Sequence, residues 1–126
     1  MKTVLITGAS KGIGAEIART LAKEGYNVAI NFNKSESAAV ALKNELEKYT
    51  SVMLVKADVS KYDEVASMVS EVRNKFGNIT HLVCNAGISV TGLLEDMDLC
   101  QCDSVIDTNL KGVIYTVKEV IPDMVK

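Results

Sequence analysis

Gly8, Gly12 and Gly14 fall in the run T-G-A-S-K-G-I-G, from Thr7 to Gly14, directly behind the apolar run Thr3–Thr7. Three spaced glycines between a strand and a helix suit one task above others, the binding of a dinucleotide pyrophosphate. Gly8 permits a tight turn off the strand. Gly12 lets backbone approach a phosphate with no Cβ in the way, and Gly14 lets the helix pack closely. The helix start then offers unpaired N–H groups and the positive end of its dipole to an anion. Thr7, Gly8, Ser10, Lys11, Gly12, Ile13 and Gly14 are therefore candidate ligands. A plain strand–turn–helix is the competing reading, but glycines weaken such a unit unless something needs the space. The P-loop pattern G-x-x-x-x-G-K-[ST] is absent.

Further polar residues follow later apolar runs. Asn31, Asn33 and Lys34 stand at the end of the second run, where a domain that prefers NAD places an acid for the ribose 2′-hydroxyl. The nearest acid here is Glu36. Lys11 and Lys34 both suit a 2′-phosphate, so NADP(H) is favoured over NAD(H) on charge complementarity. A solvated loop lysine is the alternative for Lys34. Asp58 and Val59 follow the third run, with Asp58 also readable as a helix-entry acid. Asn85-Ala86-Gly87 follows the fourth, where Asn85 is expected to tie loops together behind the cofactor. Asn109 sits in a helical stretch, where asparagine is locally unfavourable. It is either a functional group or a structural amide.

The elements that must position these residues alternate from the first residue. Strands are expected at Thr3–Thr7, Asn27–Phe32, Val52–Val55 and His81–Cys84. The first helix shows Ile13, Ile17, Ala18 and Leu21 on one face and stops at Gly25. A second carries Ala39, Leu42 and Leu46 behind Ser35 as N-cap. A third carries Val65, Met68, Val69, Val72 and Phe76, with Ser60 and Asp63 as a capping pair and Gly77 as its stop. A long helical region is expected from about Asp98 to the end, its apolar face made by Leu110, Val113, Ile114, Val117, Val120, Ile121 and Met124. Pro122 is expected to kink its last turn. Such alternation implies an α/β, Rossmann-type three-layer sandwich with a parallel sheet, strand order 3-2-1-4, as a single partial domain over residues 1–126. The glycine turn and Asn85-Ala86-Gly87 then meet at the switch in strand order, where such sheets bind ligands.

Composition excludes other classes. With 126 residues, 48% of them hydrophobic, the chain can build a core. A net charge of -2, with 14 Lys and Arg scattered along it, excludes a nucleic-acid surface. No apolar run is long enough to span a membrane, and the N-terminus lacks a secretory signal, so a cytoplasmic location is expected. Cys84, Cys100 and Cys102 suit free thiols, since their spacing makes neither a disulfide framework nor a zinc site. His81 reads as a strand-entry residue, and no metal site is expected.

Together these segments resemble the short-chain dehydrogenase/reductase family over the whole chain. T-G-A-S-K-G-I-G is similar to its cofactor signature, Asp58-Val59 to its adenine-binding pair and Asn85-Ala86-Gly87 to its N-A-G sequence, with Cys84 in place of the frequent first asparagine. Asp107–Gly112 is similar to the segment holding its catalytic, water-holding asparagine, here Asn109. The resemblance implies hydride transfer between NADP(H) and a ketone or alcohol. The substrate would be small or bound to an acyl carrier, and the nearest branch is the 3-oxoacyl-(acyl carrier protein) reductases. Branches acting on modified elongation factor P or on sugars and polyols lie near. The family's serine and Tyr-x-x-x-Lys are absent, and none of Tyr26, Tyr49, Tyr62 and Tyr115 has Lys four positions on. The chain is thus expected to be the cofactor half of a reductase, truncated after the fourth strand and the helix behind it, and inactive alone. Uncovered surfaces predict homo-oligomer formation. A self-associating or nucleotide-binding module without catalysis is the alternative from another class. A flavodoxin-like or methyltransferase-like domain would leave Asn85-Ala86-Gly87 and Asn109 unexplained.

Overall fold

The computed structural model describes residues 1–126. Four parallel strands, β1 (Thr3–Ile6), β2 (Asn27–Phe32), β3 (Val52–Lys56) and β4 (His81–Val83), form one sheet in the order β3-β2-β1-β4. That is the order expected from right-handed crossovers. Helices α1 (Gly12–Lys23), α2 (Glu36–Leu46) and α3 (Tyr62–Phe76) connect the strands. After β4 come a single 3-10 turn (Leu94–Asp96), α4 (Leu99–Ile106), a π-helical segment (Asp107–Lys111) and α5 (Gly112–Met124).

Strand side chains alternate between faces, and the core splits accordingly. Val4, Ile6, Val28 and Ile30 pack beneath α1 and α2, whereas Leu5, Ala29, Met53 and Val55 pack beneath α3 and α5. β1 is buried at every position, which is why its sequence is a continuous apolar run. Each fully buried Leu, Ile or Val stabilises the fold by roughly 2 kcal/mol before entropy is counted.

Helix faces differ from the pattern expected. In α1 the buried residues are Gly14, Ala15, Ala18 and Ala22, while Ile13 is 75% exposed and Ile17 and Leu21 are half-buried. Small side chains let the helix lie close on the sheet, and the larger residues turn outward. In α3 the capping pair does not form. Lys61 is the N-cap, and Ser60 instead donates through both its N–H and its hydroxyl to Asp58 Oδ1. Val65, Met68, Val69 and Val72 are buried as expected, and Gly77 ends the helix at φ +79.

The long helical region runs unbroken as α4, the π segment and α5 in series. Asp98 and Gln101 form a capping box at the start of α4, unforeseen from the sequence. On α5 the buried residues are Gly112, Thr116, Val120 and Asp123. Leu110, Ile114, Ile121 and Met124, expected on a core face, are exposed. The helix continues through Pro122 to Met124.

One ion pair fixes the end of α5. The Asp123 carboxylate, its side chain 1% exposed, accepts from Arg73 Nε at 2.9 and 3.0 Å. It also accepts from the Ile79 N–H at 2.9 Å. Arg73 Nη2 donates to the Glu119 carbonyl as well. A single carboxylate thus joins α5, α3 and the loop entering β4. Burial works to raise its pKa, but the Arg73 bonds and charge and the Ile79 N–H together hold it below the ordinary carboxylate value.

Candidate cofactor site

The loops leaving the carboxyl ends of β1, β2, β3 and β4 enclose a cleft of about 460 Å³. Gly8, Asn31, Asn33, Lys34, Asp58, Val59, Asn85, Ala86 and Gly87 all line it, so every later motif meets part of the glycine turn in one place. A larger, open hollow of about 700 Å³ runs along the outer face of α1, past Gly12, Ile13, Ile17 and Leu21. Its only cation, Arg19, is engaged with Glu16 and Glu45, and its floor is largely apolar. The smaller cleft has the chemistry.

The turn is held from two sides. Thr7 is buried, and its hydroxyl oxygen accepts the N–H groups of Asn85 and Ala86, both at 3.0 Å. Asn85 Nδ2 donates back to the Gly8 carbonyl at 2.9 Å, the loop-tying role expected of it. Gly8 has φ +60, and a Cβ there would lie 2.7 Å from Ala86 Cα. No other residue fits so close a crossing of two loops. Gly12 has φ +64 and faces open space, with nothing within 4 Å of where its Cβ would stand. That opening at the start of α1, where the first N–H groups lack helical partners, fits a phosphate. Lys11 and Ile13 stand exposed at the same opening, outside the cleft, with Ser10 half-buried between them and Gly8.

Asn31 departs from its expected role. It is 2% exposed, and its side-chain amide is bonded to backbone: Oδ1 accepts the Gly8 N–H, and Nδ2 faces the carbonyls of Val55 and Ala57. It supports the cleft wall and has no free donor for a ligand. Asn33 and Lys34 remain exposed at the end of β2, and no carboxylate lies within ion-pair distance of Lys34 or Lys11.

On the far wall, Asp58 Oδ1 is fixed by Ser60, and the Asp58 N–H donates to Glu64 Oε1 at 3.0 Å. Val59 is buried under the start of α5, where a Cβ on Gly112 would come within 2.8 Å of it. Asn109 lies in the π segment. Its Oδ1 accepts the Ile88 N–H at 2.8 Å and its Nδ2 donates to the Ile88 carbonyl at 2.7 Å. The amide thus clamps the loop after Gly87, and this pairing explains an asparagine that looked misplaced mid-helix. π segments commonly mark functional positions. Cys84, which precedes Asn85, is exposed at the surface, and the partial desolvation of its sulfur pushes the thiol pKa up.

Sequence reasoning missed Ser104, Asp107 and Thr108, which close the cleft from the helical side. Their i, i+3, i+4 spacing on a helix was the available signal. It missed Glu64 as the anchor of Asp58 too.

A profile described as short chain dehydrogenase matches residues 2–126. The chain belongs to this family. Among its relatives, the 3-oxoacyl-(acyl-carrier-protein) reductase FabG of Staphylococcus epidermidis is 46% identical over 99% of the chain and 52% of its own length. The D-beta-hydroxybutyrate dehydrogenase of Rhizobium meliloti is 37% identical over 99% of the chain and 49% of its own length. A Serratia marcescens short-chain dehydrogenase/reductase double mutant superposes with a TM-score of 0.94 at 31% identity, covering 98% of this chain and 51% of the other. The alcohol dehydrogenase of Thermococcus sibiricus, in complex with 5-hydroxy-NADP, gives 0.93 at 34% identity, covering 98% and 53%. The chain therefore spans about half the length of the relatives it matches. No helix is long and apolar enough to cross a membrane.

Proposed function

We propose that this chain supplies the NADP(H)-holding part of a carbonyl reductase that acts on a 3-oxoacyl or similar ketone substrate. The observation that carries the reading is the cleft, which gathers the glycine turn, Asp58-Val59 and Asn85-Ala86-Gly87 around an unpaired Lys34. In this assignment the N–H groups at the start of α1 take the pyrophosphate, with Ser10, Lys11 and Ile13 at its mouth. Asn33 and Lys34 take the 2′-phosphate, and Asp58 and Val59 take the adenine. Ala86 and Gly87 continue the wall, while Asn31 and Asn85 hold it from behind. When bound, the nicotinamide supplies the hydride. Asn109 keeps the loop at Ile88 in place beside that end of the cleft. The preference for the phosphorylated cofactor rests on charge, since no acid stands at the end of β2. The substrate class rests on the FabG relative.

These 126 residues hold no Tyr-x-x-x-Lys, so the reading assigns them binding without turnover. NADPH and NADH titrations by fluorescence, with a small β-keto ester as turnover substrate, test it. Saturable NADPH binding, weaker NADH binding and no turnover support it. Equal affinity for both cofactors removes the NADP(H) preference, and robust turnover by these residues overturns the division of labour.

A second reading is favoured by the exposed Leu110, Ile114 and Ile121 and by the outer edge of β4, which has no strand beside it. In it the chain associates with itself through these surfaces. Light scattering at rising concentration decides: a persistent monomer removes this reading.

A further inference from the structure

We infer that Asn31 is a positioning residue that fixes the phosphate turn and the opposite, Asp58-bearing wall at a set distance, so that a dinucleotide is held as one unit. The inference rests on the cofactor reading for the identity of the ligand.

Asn31 grips the turn twice. Its own carbonyl accepts the Ala9 N–H at 2.9 Å, and its Oδ1 accepts the Gly8 N–H at 3.0 Å. The first two donors of the turn therefore point into the protein, and only those beyond Ala9 remain for an anion. The other end of the same amide faces β3, with Nδ2 at 3.3 Å from the Val55 carbonyl and 3.1 Å from that of Ala57. Ala57 immediately precedes Asp58. One planar group thus spans from the loop after β1, across β2, to the loop after β3.

A strand residue that only packed here would be apolar. Val28, Ala29, Ile30 and Phe32 around it are all apolar and buried. A buried polar side chain with donor and acceptor both satisfied specifies one arrangement of its neighbours more tightly than packing does. Replacing it leaves the Gly8 N–H and two carbonyls at the cleft wall without the one group that joins them.

Wild type, Asn31→Ala and Asn31→Ser are compared as the full 126-residue chain in two measurements. The first is amide hydrogen exchange at Gly8 without nucleotide. The expected result is faster exchange at Gly8 by about tenfold in Asn31→Ala, as for one lost hydrogen bond, with Leu5 and Ile6 unchanged. The second is binding of NADPH and of adenosine 2′,5′-bisphosphate, which fills only the adenine side. The expected result is about tenfold weaker NADPH binding with the smaller ligand changed less than about threefold. Asn31→Ser, which keeps a hydroxyl, should fall between, and it stands in if the alanine variant does not fold. A lowered melting temperature with both affinities unchanged would mean a merely structural role and overturn the inference. So would equal losses for the two ligands, or unchanged Gly8 exchange. If wild type binds neither ligand, the cofactor reading fails separately, and Gly8 exchange still decides whether Asn31 holds the turn.

Discussion

Replacing Asp123 should unfold the molecule more readily without touching the cleft. Asp123→Ala removes the acceptor of two Arg73 contacts and of the Ile79 N–H, and Ile79 is fully buried. Breaking a fully buried pair by deleting one partner costs about 3–5 kcal/mol. Arg73 is 33% exposed and can turn its guanidinium partly to water, which lowers that figure. The orphaned Ile79 N–H has no such escape and costs about 1–3 kcal/mol. The sum expected is about 3 kcal/mol, a fall in melting temperature of roughly 10 °C for a chain of this size. Asp123→Asn keeps an acceptor for Ile79 and should cost about half as much. Urea melts read this as a lower midpoint with an unchanged slope. The pH dependence has a fixed sign. Because the folded pKa is depressed, the contribution is whole above the unfolded value of 3.8 and is lost as pH falls through the folded value. The gap between wild type and Asp123→Asn should therefore be constant above about pH 5 and close below about pH 4. A loss under about 1 kcal/mol, or a gap that widens in acid, refutes the reasoning.

Three other substitutions test the cleft. Gly8→Ala places a Cβ 2.7 Å from Ala86 Cα at a φ of +60, so it should cost about 2 kcal/mol and abolish NADPH binding by titration. Thr7→Val keeps shape but removes the acceptor of two loop N–H groups. It should destabilise by about 2 kcal/mol in urea melts, with Thr7→Ser restoring most of it. Lys34→Glu should weaken NADPH binding by about tenfold or more and leave NADH within about threefold, measured by fluorescence. Equal losses for the two cofactors would place the 2′-phosphate elsewhere.

What could be read from sequence was local. The glycine turn, four strands and the buried stripe of α3 follow from patterns within a dozen residues, and strand order followed from the handedness of crossovers. The inner face of α1 was misread because hydrophobicity ranks isoleucine above alanine, whereas close packing on a sheet prefers the smaller side chain. The long helical region was legible from its apolar period, but not the π turn inside it, where Asn109 holds Ile88, a partner 21 residues away. Asn31 stood where a 2′-phosphate ligand belongs. Only the positions of Gly8 and Ala57 in space reveal that its amide is engaged. The Arg73–Asp123 pair, 50 residues apart in sequence, left no signal at all.

The π segment has a consequence for length. A wider turn at Asp107–Lys111 absorbs one surplus residue in an otherwise regular α-helix, so its five residues carry the chain about as far around the axis as four α-helical ones would. Each α-helical residue advances by about 100° around the axis. Winding all five residues as regular α-helix would therefore swing α4 by about that angle relative to α5, whereas deleting one of them would straighten the turn and leave the two helices nearly in phase. The swing would carry Ser104 out of the cleft, and the straightened turn would take Asn109 off Ile88. Side-chain replacements here are matters of degree, but the residue count is not: a three-base deletion that keeps the reading frame would spare the helices on either side and remove the clamp on the loop after Gly87.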